Sequence, residues 1–150
     1  MNGKRKKSGY DTNLASEFYV LSCLHRLGVT ASLTLGNKKG VDILVAREAG
    51  DSITVEVKGV AKRYDWPVNN LPKNKPHNHF VVLVSFDGKI AEANMPSPKV
   101  WIIPMGKIGQ FVIPYNDGKM NVVSRSKISK NGSEFENAWH FIEPRIKNSQ

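Results

Sequence analysis

The sequence predicts an α/β fold with a mixed sheet flanked by helices. Three patterns lead to this expectation: an amphipathic helix near the start, three strand-like segments directly after it, and a near-continuous apolar segment, HFVVLVSF, that follows a long polar stretch. Alternation of apolar and polar residues is typical of a half-buried strand, whereas an unbroken apolar run is typical of a strand covered on both faces. The order of helix, three strands, connection and further strand therefore predicts one mixed sheet.

The first predicted element is a helix over residues 11–28. Apolar side chains recur there at three- and four-residue spacing, as on one face of a helix. Gly28 is a good C-terminal stop, and Asp11 or Thr12 can cap the first turn. The residues on the predicted buried stripe are Leu14, Phe18, Leu21, Leu24 and His25.

The strands are predicted from two-residue alternation or from short apolar runs. These segments are 30–35, 41–47, 53–58, 79–86 and 100–104, with GNKKG and EAGDS as the turns between the first three. Residues 59–78 contain three prolines and little periodicity, which predicts a long loop. Near the end, Ser133 and Glu136 have capping-box spacing, which predicts a closing helix over 133–142.

Length and composition predict a single domain over 11–150, preceded by a basic, flexible tail over 1–10. The 150 residues carry 22 Lys and Arg against 13 Asp and Glu, so the net charge is +9. Such an excess favours an anionic partner, most commonly nucleic acid, although a basic surface also serves solubility alone. One cysteine, no secretory signal and no apolar run of membrane-spanning length predict a cytoplasmic protein with no membrane partner.

Two acidic residues are predicted to face each other across the second and third strands. If the EAGDS turn centres on Ala49, Asp42 is opposite Glu56. Directly opposed side chains have Cβ atoms about 4.5–5.5 Å apart, where two carboxylates repel. A divalent cation between them would relieve the repulsion, and Mg²⁺ prefers such hard oxygen ligands. A register slip of one residue would instead place the two acids on opposite faces.

Two further charged residues complete the candidate site. Lys58 follows Glu56 by two positions and therefore projects from the same face of the strand. On the helix, Glu17 lies between Leu21 and Leu24 within the apolar stripe, where an unsolvated carboxylate needs a partner. If the helix packs on the sheet, Glu17 can point at the same metal site, directly or through a water. Taken alone, an E-x-K pattern in a strand is more often a solvated face.

This arrangement resembles the PD-(D/E)XK nuclease superfamily. The resemblance rests on Glu17, on GNKKGVD ending in Asp42, and on Glu56-Val-Lys58, and the order of elements is similar to a restriction endonuclease-like αβββ-crossover-β core. The resemblance spans residues 11–104. Within the superfamily, the sequence is similar to archaeal Holliday-junction resolvases and to small uncharacterised bacterial members. Two features differ, because the family's crossover usually contains a helix and because Val41 stands where the motif's name has proline.

The resemblance implies a metal-dependent nuclease with Glu17, Asp42, Glu56 and Lys58 as catalytic residues. Asp42, Glu56 and the backbone carbonyl of Val57 would hold Mg²⁺ or Mn²⁺, and Glu17 would support the metal directly or through water. Lys58 would orient or activate the attacking water and offset charge on the phosphate. A divalent ion lowers the pKa of its bound water and stabilises the charge that develops on the phosphate.

A basic, aromatic loop directly after the third strand predicts a nucleic-acid surface. Cations meet phosphates, and aromatic faces stack on exposed bases. In the alternative interpretation, Trp66 pins the loop to the core while the lysines point to water. The predicted contacts, which include two lysines before Asp42, are Lys38, Lys39, Lys62, Arg63, Tyr64, Trp66, Lys73 and Lys75.

Two other features of the sequence do not support a site. His77 and His79 have no accompanying cysteine or histidine cluster, so they predict neither a zinc site nor an HNH nuclease. Cys23 lies within the first predicted helix without an evident activating base, which favours a core position over a nucleophile.

The leading functional prediction is an endonuclease that hydrolyses DNA phosphodiester bonds with Mg²⁺ or Mn²⁺. A homodimer is expected, because cutting both strands of a duplex usually needs two active sites. Two alternatives stay open: a nucleic-acid-binding module that keeps the fold without cutting, and an interaction subunit of a larger complex. Metal-dependent cleavage would separate the enzyme from both alternatives.

Overall fold

Eight strands and two helices organise the protein, in a computed structural model that describes residues 9–35, 40–69, 71, 72, 74 and 76–147. The helices are α1 (Gly9–Arg26) and α2 (Arg125–Asn131). The strands are β1 (Thr30–Leu33), β2 (Ile43–Ala46), β3 (Ser52–Val60), β4 (Trp66–Pro67), β5 (His79–Ser85), β6 (Lys99–Pro104), β7 (Val112–Tyr115) and β8 (Met120–Val123). Five strands form a mixed sheet in the order β1-β2-β3-β5-β6, and a smaller sheet has the order β4-β8-β7.

The order and pairing of the strands confirm the α/β fold class and the predicted hairpin register. β1, β2 and β3 are antiparallel neighbours, and Ile43 pairs with Val55, the register that follows from a turn centred on Ala49. β5 lies parallel to β3, with Glu56 beside Val81. The connection between these two strands contains the short strand β4 and no helix in its described residues, in agreement with the loop predicted from its prolines.

Helix α1 packs on the large sheet with a different face from the predicted one. Its buried residues are Thr12, Ser16, Val20, Cys23 and Leu24. From the predicted stripe, Phe18 is 54% exposed and His25 is also exposed. The reason is a close approach to β3: a Cβ built on Gly59 would lie 1.8 Å from the Ser16 Oγ. Because the residues at this contact are small, the backbone of α1 packs closely against β3.

The start of α1 also differs from the predicted boundary of the tail. The helix begins at Gly9, inside the segment 1–10 that the sequence assigned to a flexible tail, and residues 1–8 lie outside the described part of the chain. In the described residues, no helix is both long enough and apolar enough to cross a membrane.

The large sheet separates two hydrophobic clusters, because successive side chains of a strand point to opposite faces. One cluster joins Val55 and Val57 of β3 to Val20 and Leu24 of α1. The other joins the opposite face of the large sheet to the smaller sheet and α2, and its members include Val60, Trp66, Val81, Leu83, Trp101, Ile103, Phe111, Val123, Ile128 and Phe135. The second cluster lies on the face of β3 that carries Glu56 and Lys58.

The C-terminal region does not form the predicted closing helix over 133–142. It contains two short 3₁₀ turns, at Ser133–Phe135 and Trp139–Phe141, separated by Asn137 with φ +50°. The segment passes between the two clusters: Phe135 is buried in one, whereas Ala138 is buried in the other. A continuous helix could not bury Phe135 in one cluster and Ala138 in the other. Tertiary packing therefore overrides the helix that the capping-box pattern predicts. The helix of this region is α2, which no sequence pattern predicted.

A charged cluster around Asp87 connects the large sheet to α2. The Asp87 carboxylate accepts a hydrogen bond from the Ser85 hydroxyl at 2.7 Å and lies 3.3 Å from Nη1 of Arg125. Lys99 and Arg63 approach the same carboxylate at 3.5 and 3.8 Å. Burial tends to raise the pKa of Asp87, but the Ser85 hydrogen bond and the three cations outweigh it and lower the pKa below 3.8.

The contact between Gly59 and Ser16 leads to a prediction about stability. Replacement of Gly59 by Ala places a methyl group against the Ser16 side chain, and overpacking of this kind costs about 1–3 kcal/mol. Urea unfolding of Gly59→Ala should show a lower midpoint, and removal of the opposing side chain in Gly59→Ala/Ser16→Gly should recover part of the loss. Gly109→Ala is the matched control, because nothing lies within 4 Å of its Cβ position. Equal stability of the two alanine variants would contradict the prediction.

The Asp87 cluster leads to a prediction about pH. Because the folded-state pKa of Asp87 is lowered, its contribution to stability is present above pH 3.8 and is lost as the pH falls through the folded-state value. The wild type should therefore have a higher Tm than Asp87→Asn at pH 7, and this difference in Tm should become smaller as the pH is lowered to 3. Thermal unfolding at several pH values measures it. A difference that stays constant over this range would contradict the assignment.

Candidate active site

The Asp42 carboxylate is held against the backbone of β3. Asp42 lies in the bend just before β2, and its Oδ2 accepts a hydrogen bond from the Val57 N–H at 2.7 Å. Burial raises the pKa of Asp42 above 3.8, with a further contribution from the nearby negative charge of Glu56, and the Val57 hydrogen bond opposes this rise. The carboxyl group therefore has a fixed orientation and a charge that its surroundings only partly stabilise.

Glu56 is a buried carboxylate with a lysine beside it. The residue is 2% exposed, and its Oε1 lies 2.8 Å from the Nζ of Lys58, as expected from two side chains on one face of a strand. Burial alone would raise the pKa of Glu56, but the interactions with His79 and Lys58 lower it overall. The Lys58 side chain is 24% exposed, so its ammonium connects this buried carboxylate to solvent.

His79 is a site neighbour that sequence reasoning missed. Its Nε2 lies 3.8 Å from Oε2 of Glu56, a separation that is too long for a hydrogen bond but close enough for electrostatic attraction. Its Nδ1 lies 2.7 Å from the Thr54 hydroxyl oxygen. The ring is 2% exposed, and neither Nε2 of His79 nor Oε2 of Glu56 has a hydrogen-bond partner in the structure. The parallel pairing of Thr54 with His79 places the ring here, and no local pattern encodes that pairing.

Glu17 reaches the site from α1, at the edge of the buried helix face rather than at its centre. The side chain is half-buried and lies beside Asp42. Burial, followed by the charge of Asp42 and a hydrogen bond with it, raises the pKa of Glu17 from 4.5 to about 6. The structure thus brings together Glu17, Asp42, Glu56 and Lys58, although they come from three separate elements.

The site contains the donor types of a metal centre but not a complete set of ligands. Asp42 and Glu56 supply hard oxygen atoms, and Oε2 of Glu56 is buried without a hydrogen-bond partner. In the described residues, no three or more His, Cys, Asp or Glu side chains are grouped so that they could hold a metal ion. As it stands, the positive charge nearest to Glu56 is the ammonium of Lys58.

The basic loop places three of the predicted nucleic-acid contacts on the surface. Lys62 and Arg63 are exposed, and Tyr64 is 60% exposed. The guanidinium of Arg63 lies 3.8 Å from the Asp87 carboxylate, so part of its charge is already balanced. The other predicted lysines of this set, Lys38, Lys39, Lys73 and Lys75, lie outside the described residues.

Trp66 is a structural residue, so its predicted stacking on bases is wrong. The side chain is fully buried, and the indole N–H donates to the Val84 carbonyl at 3.0 Å. The ring packs edge-on against Trp101, with the guanidinium of Arg125 5.0 Å from its centroid. Both hydrophobic burial and a satisfied N–H donor hold it in the core, which leaves no ring face for a base.

Comparison with known proteins shows the fold. Neither a protein-family model nor a curated protein matches the sequence. Among solved structures, the chain is similar to a bacterial homing endonuclease, I-Ssp6803I, with a TM-score of 0.56 and 16% sequence identity. The likeness covers 92% of this chain and 94% of the endonuclease chain, so the two share a nuclease-like α/β fold over nearly their whole lengths.

The environment of Glu17 predicts a gain of stability on removal of its charge. At pH 8, above its pKa of about 6, Glu17 is ionised beside Asp42 in a half-buried position. Both Glu17→Leu and Glu17→Gln should therefore raise Tm at pH 8, because each removes the repulsion between the two carboxylates. Differential scanning calorimetry in EDTA measures this, with exposed Glu92→Gln as the control. A clear fall in Tm for both Glu17 variants would contradict the prediction.

Proposed function

We propose that this protein is a metal-dependent endonuclease that hydrolyses DNA phosphodiester bonds, with a PD-(D/E)XK-type site. The proposal rests chiefly on one observation: Glu17, Asp42, Glu56 and Lys58 converge at the β2–β3 hairpin of a nuclease-like fold. A surface with no catalytic or binding role would not need three carboxylates at one place. The fold that is shared with a homing endonuclease supports DNA as the substrate.

In this proposal, the protein groups have separate tasks. Asp42 is oriented by the Val57 N–H, and Glu56 is held by Lys58, so neither carboxylate needs to reorganise far before it acts. The partly exposed ammonium of Lys58 faces the phosphate, where it offsets developing negative charge and orients the attacking water. Glu17 lies beside Asp42 on the helix side of the sheet, where it would support the metal directly or through a water.

Mg²⁺ or Mn²⁺ is the proposed cofactor, with Asp42, Glu56 and the Val57 carbonyl as ligands and Glu17 in support. The donor set is all oxygen, which such ions prefer, and the unpartnered Oε2 of Glu56 has capacity to accept a further contact. When bound, the ion lowers the pKa of a water molecule and withdraws charge from the phosphate.

The DNA is proposed to lie over the basic loop. This loop follows the end of β3, the strand that carries Glu56 and Lys58. Its exposed residues are Lys62, Arg63 and Tyr64. Phosphate contacts of this kind give salt-dependent affinity without sequence preference. The overall charge of +9 favours encounter with a polyanion.

Cleavage assays test the proposed activity. Supercoiled, linear, single-stranded and four-way-junction DNA would be incubated with Mg²⁺, Mn²⁺ or EDTA, using the wild type, Glu56→Gln and Lys58→Ala. We expect metal-dependent cleavage by the wild type and a loss of about 100-fold or more in each variant, the scale for a group that stabilises the transition state. Exposed Glu92→Gln and Lys107→Ala are the matched controls and should cleave like the wild type.

The same experiment identifies the competing function. If no DNA is cut in any metal, while the wild type and both site variants bind DNA with equal salt sensitivity, the protein is a non-catalytic nucleic-acid-binding module. Cleavage that persists in EDTA, or in Glu56→Gln, would instead show that another site carries the chemistry.

A further inference from the structure

A small pocket shares Lys58 with the candidate active site, and its described lining contains none of the site's carboxylates. Its volume is about 250 Å³. The lining residues come from α1, β3, β4 and the chain after β4, and they are Asn13, Lys58, Gly59, Trp66, Pro67 and Asn69. This volume is below the roughly 300–1,000 Å³ of pockets that enclose drug-sized ligands, so it suits a small group.

The polar side chains of this pocket favour an anion. Lys58 brings a cation, whose Nζ also lies 2.8 Å from Oε1 of Glu56, and Asn13 and Asn69 bring amides, whereas the described lining includes no carboxylate. Lysine has only donors, and the NH₂ end of an asparagine amide carries two more. A cation with amide donors around it is complementary to a phosphate group rather than to a metal ion or an amine.

Asn69 is oriented for this task by the protein backbone. Its Oδ1 accepts a hydrogen bond at 2.8 Å from the backbone N–H of Asn121, which lies in β8. With the oxygen engaged, the Nδ2 end is the part of the amide that stays available at this exposed position. A donor that is held in place before binding loses less conformational entropy when a ligand arrives.

We propose that this pocket binds a backbone phosphate of DNA adjacent to the one that is cut, with Asn69 and Asn13 as hydrogen-bond donors and Lys58 shared between the two phosphates. This inference rests on the proposed function for its ligand. Asn13 and Asn69 are then positioning residues: they set where the strand lies relative to Glu56 and Lys58 without taking part in bond cleavage.

Asn69→Asp tests the proposal with almost no change of shape. The aspartate keeps an oxygen for the Asn121 N–H, but it puts a charged acceptor where the amide donor stood. Asn13→Asp makes the same exchange on the exposed side of α1, near the helix N-terminus, where an acid is favourable. Asn137→Asp is the matched control: it is exposed, it has the same charge change, and it lies beyond β6, the edge strand two positions from β3.

Affinity for a short fluorescent DNA duplex in EDTA is the primary readout, since it does not depend on cleavage. We expect the Kd to rise about tenfold for both Asn69→Asp and Asn13→Asp, the equivalent of about 1.4 kcal/mol, and to stay within about twofold for Asn137→Asp. The slope of log Kd against log salt concentration should fall by about one, because the new carboxylate offsets the Lys58 charge that neutralises this phosphate. If Asn69→Asp unfolds, Asn13→Asp decides the outcome.

The outcomes separate this inference from the proposed function. If the wild type cleaves DNA and both pocket variants bind like Asn137→Asp, the phosphate pocket is wrong and the endonuclease stands. If the pocket variants lose affinity but the wild type never cleaves, the pocket stands and the catalytic proposal fails. A wild-type protein that does not bind DNA overturns both.

Discussion

The candidate site depends on the register between β2 and β3. Because Ile43 pairs with Val55, the bend at Asp42 lies where its carboxylate reaches the Val57 N–H. A slip of one residue would move the apolar side chains of β2 out of the core, so hydrophobic burial strongly disfavours any other pairing. The free energy that comes from burying Ile43 and Val45 thus fixes the position of a polar group that contributes no apolar surface of its own.

Glu56 illustrates how a sheet can hold a charge in its interior. A carboxylate that is 2% exposed loses most of its hydration, which costs several kcal/mol unless charged partners offset the loss. Lys58 provides a charged partner from the same strand, and the polar ring of His79 approaches the other carboxylate oxygen from the parallel neighbour. This second contact exists only because β5 pairs with β3 directly, after a connection of almost twenty residues returns the chain in the parallel direction.

Charge is arranged differently at long and at short range in this protein. The whole chain carries +9, which attracts a polyanion, whereas the candidate site places Glu17 beside Asp42 and pairs Glu56 with the single ammonium of Lys58. A phosphate that enters such a site meets repulsion unless a cation offsets it, which is the electrostatic logic of metal-dependent hydrolysis. The pocket that Asn13 and Asn69 line also includes Lys58, and its described lining contains no carboxylate. Under the proposed function, Lys58 therefore contacts both the phosphate that is cut and the neighbouring phosphate that positions the strand.

The sequence by itself determined the parts of this protein that depend on local periodicity. Two-residue alternation placed Glu56 and Lys58 on one face of β3, and the length of a single turn set the register that brings Asp42 to β3. The five strands of the large sheet and the relative positions of these three side chains could therefore be predicted from neighbours along the chain. Only the tertiary structure decided which face of α1 is buried, because that choice rests on the fit of Ser16 against Gly59, more than forty residues away. The burial of Trp66 and the contact of His79 with Glu56 were decided in the same way. Each of these interactions joins two elements that are far apart in the sequence. Their relative placement depends on how the two hydrophobic clusters pack, and the residue pattern within one element does not show which other element it will contact.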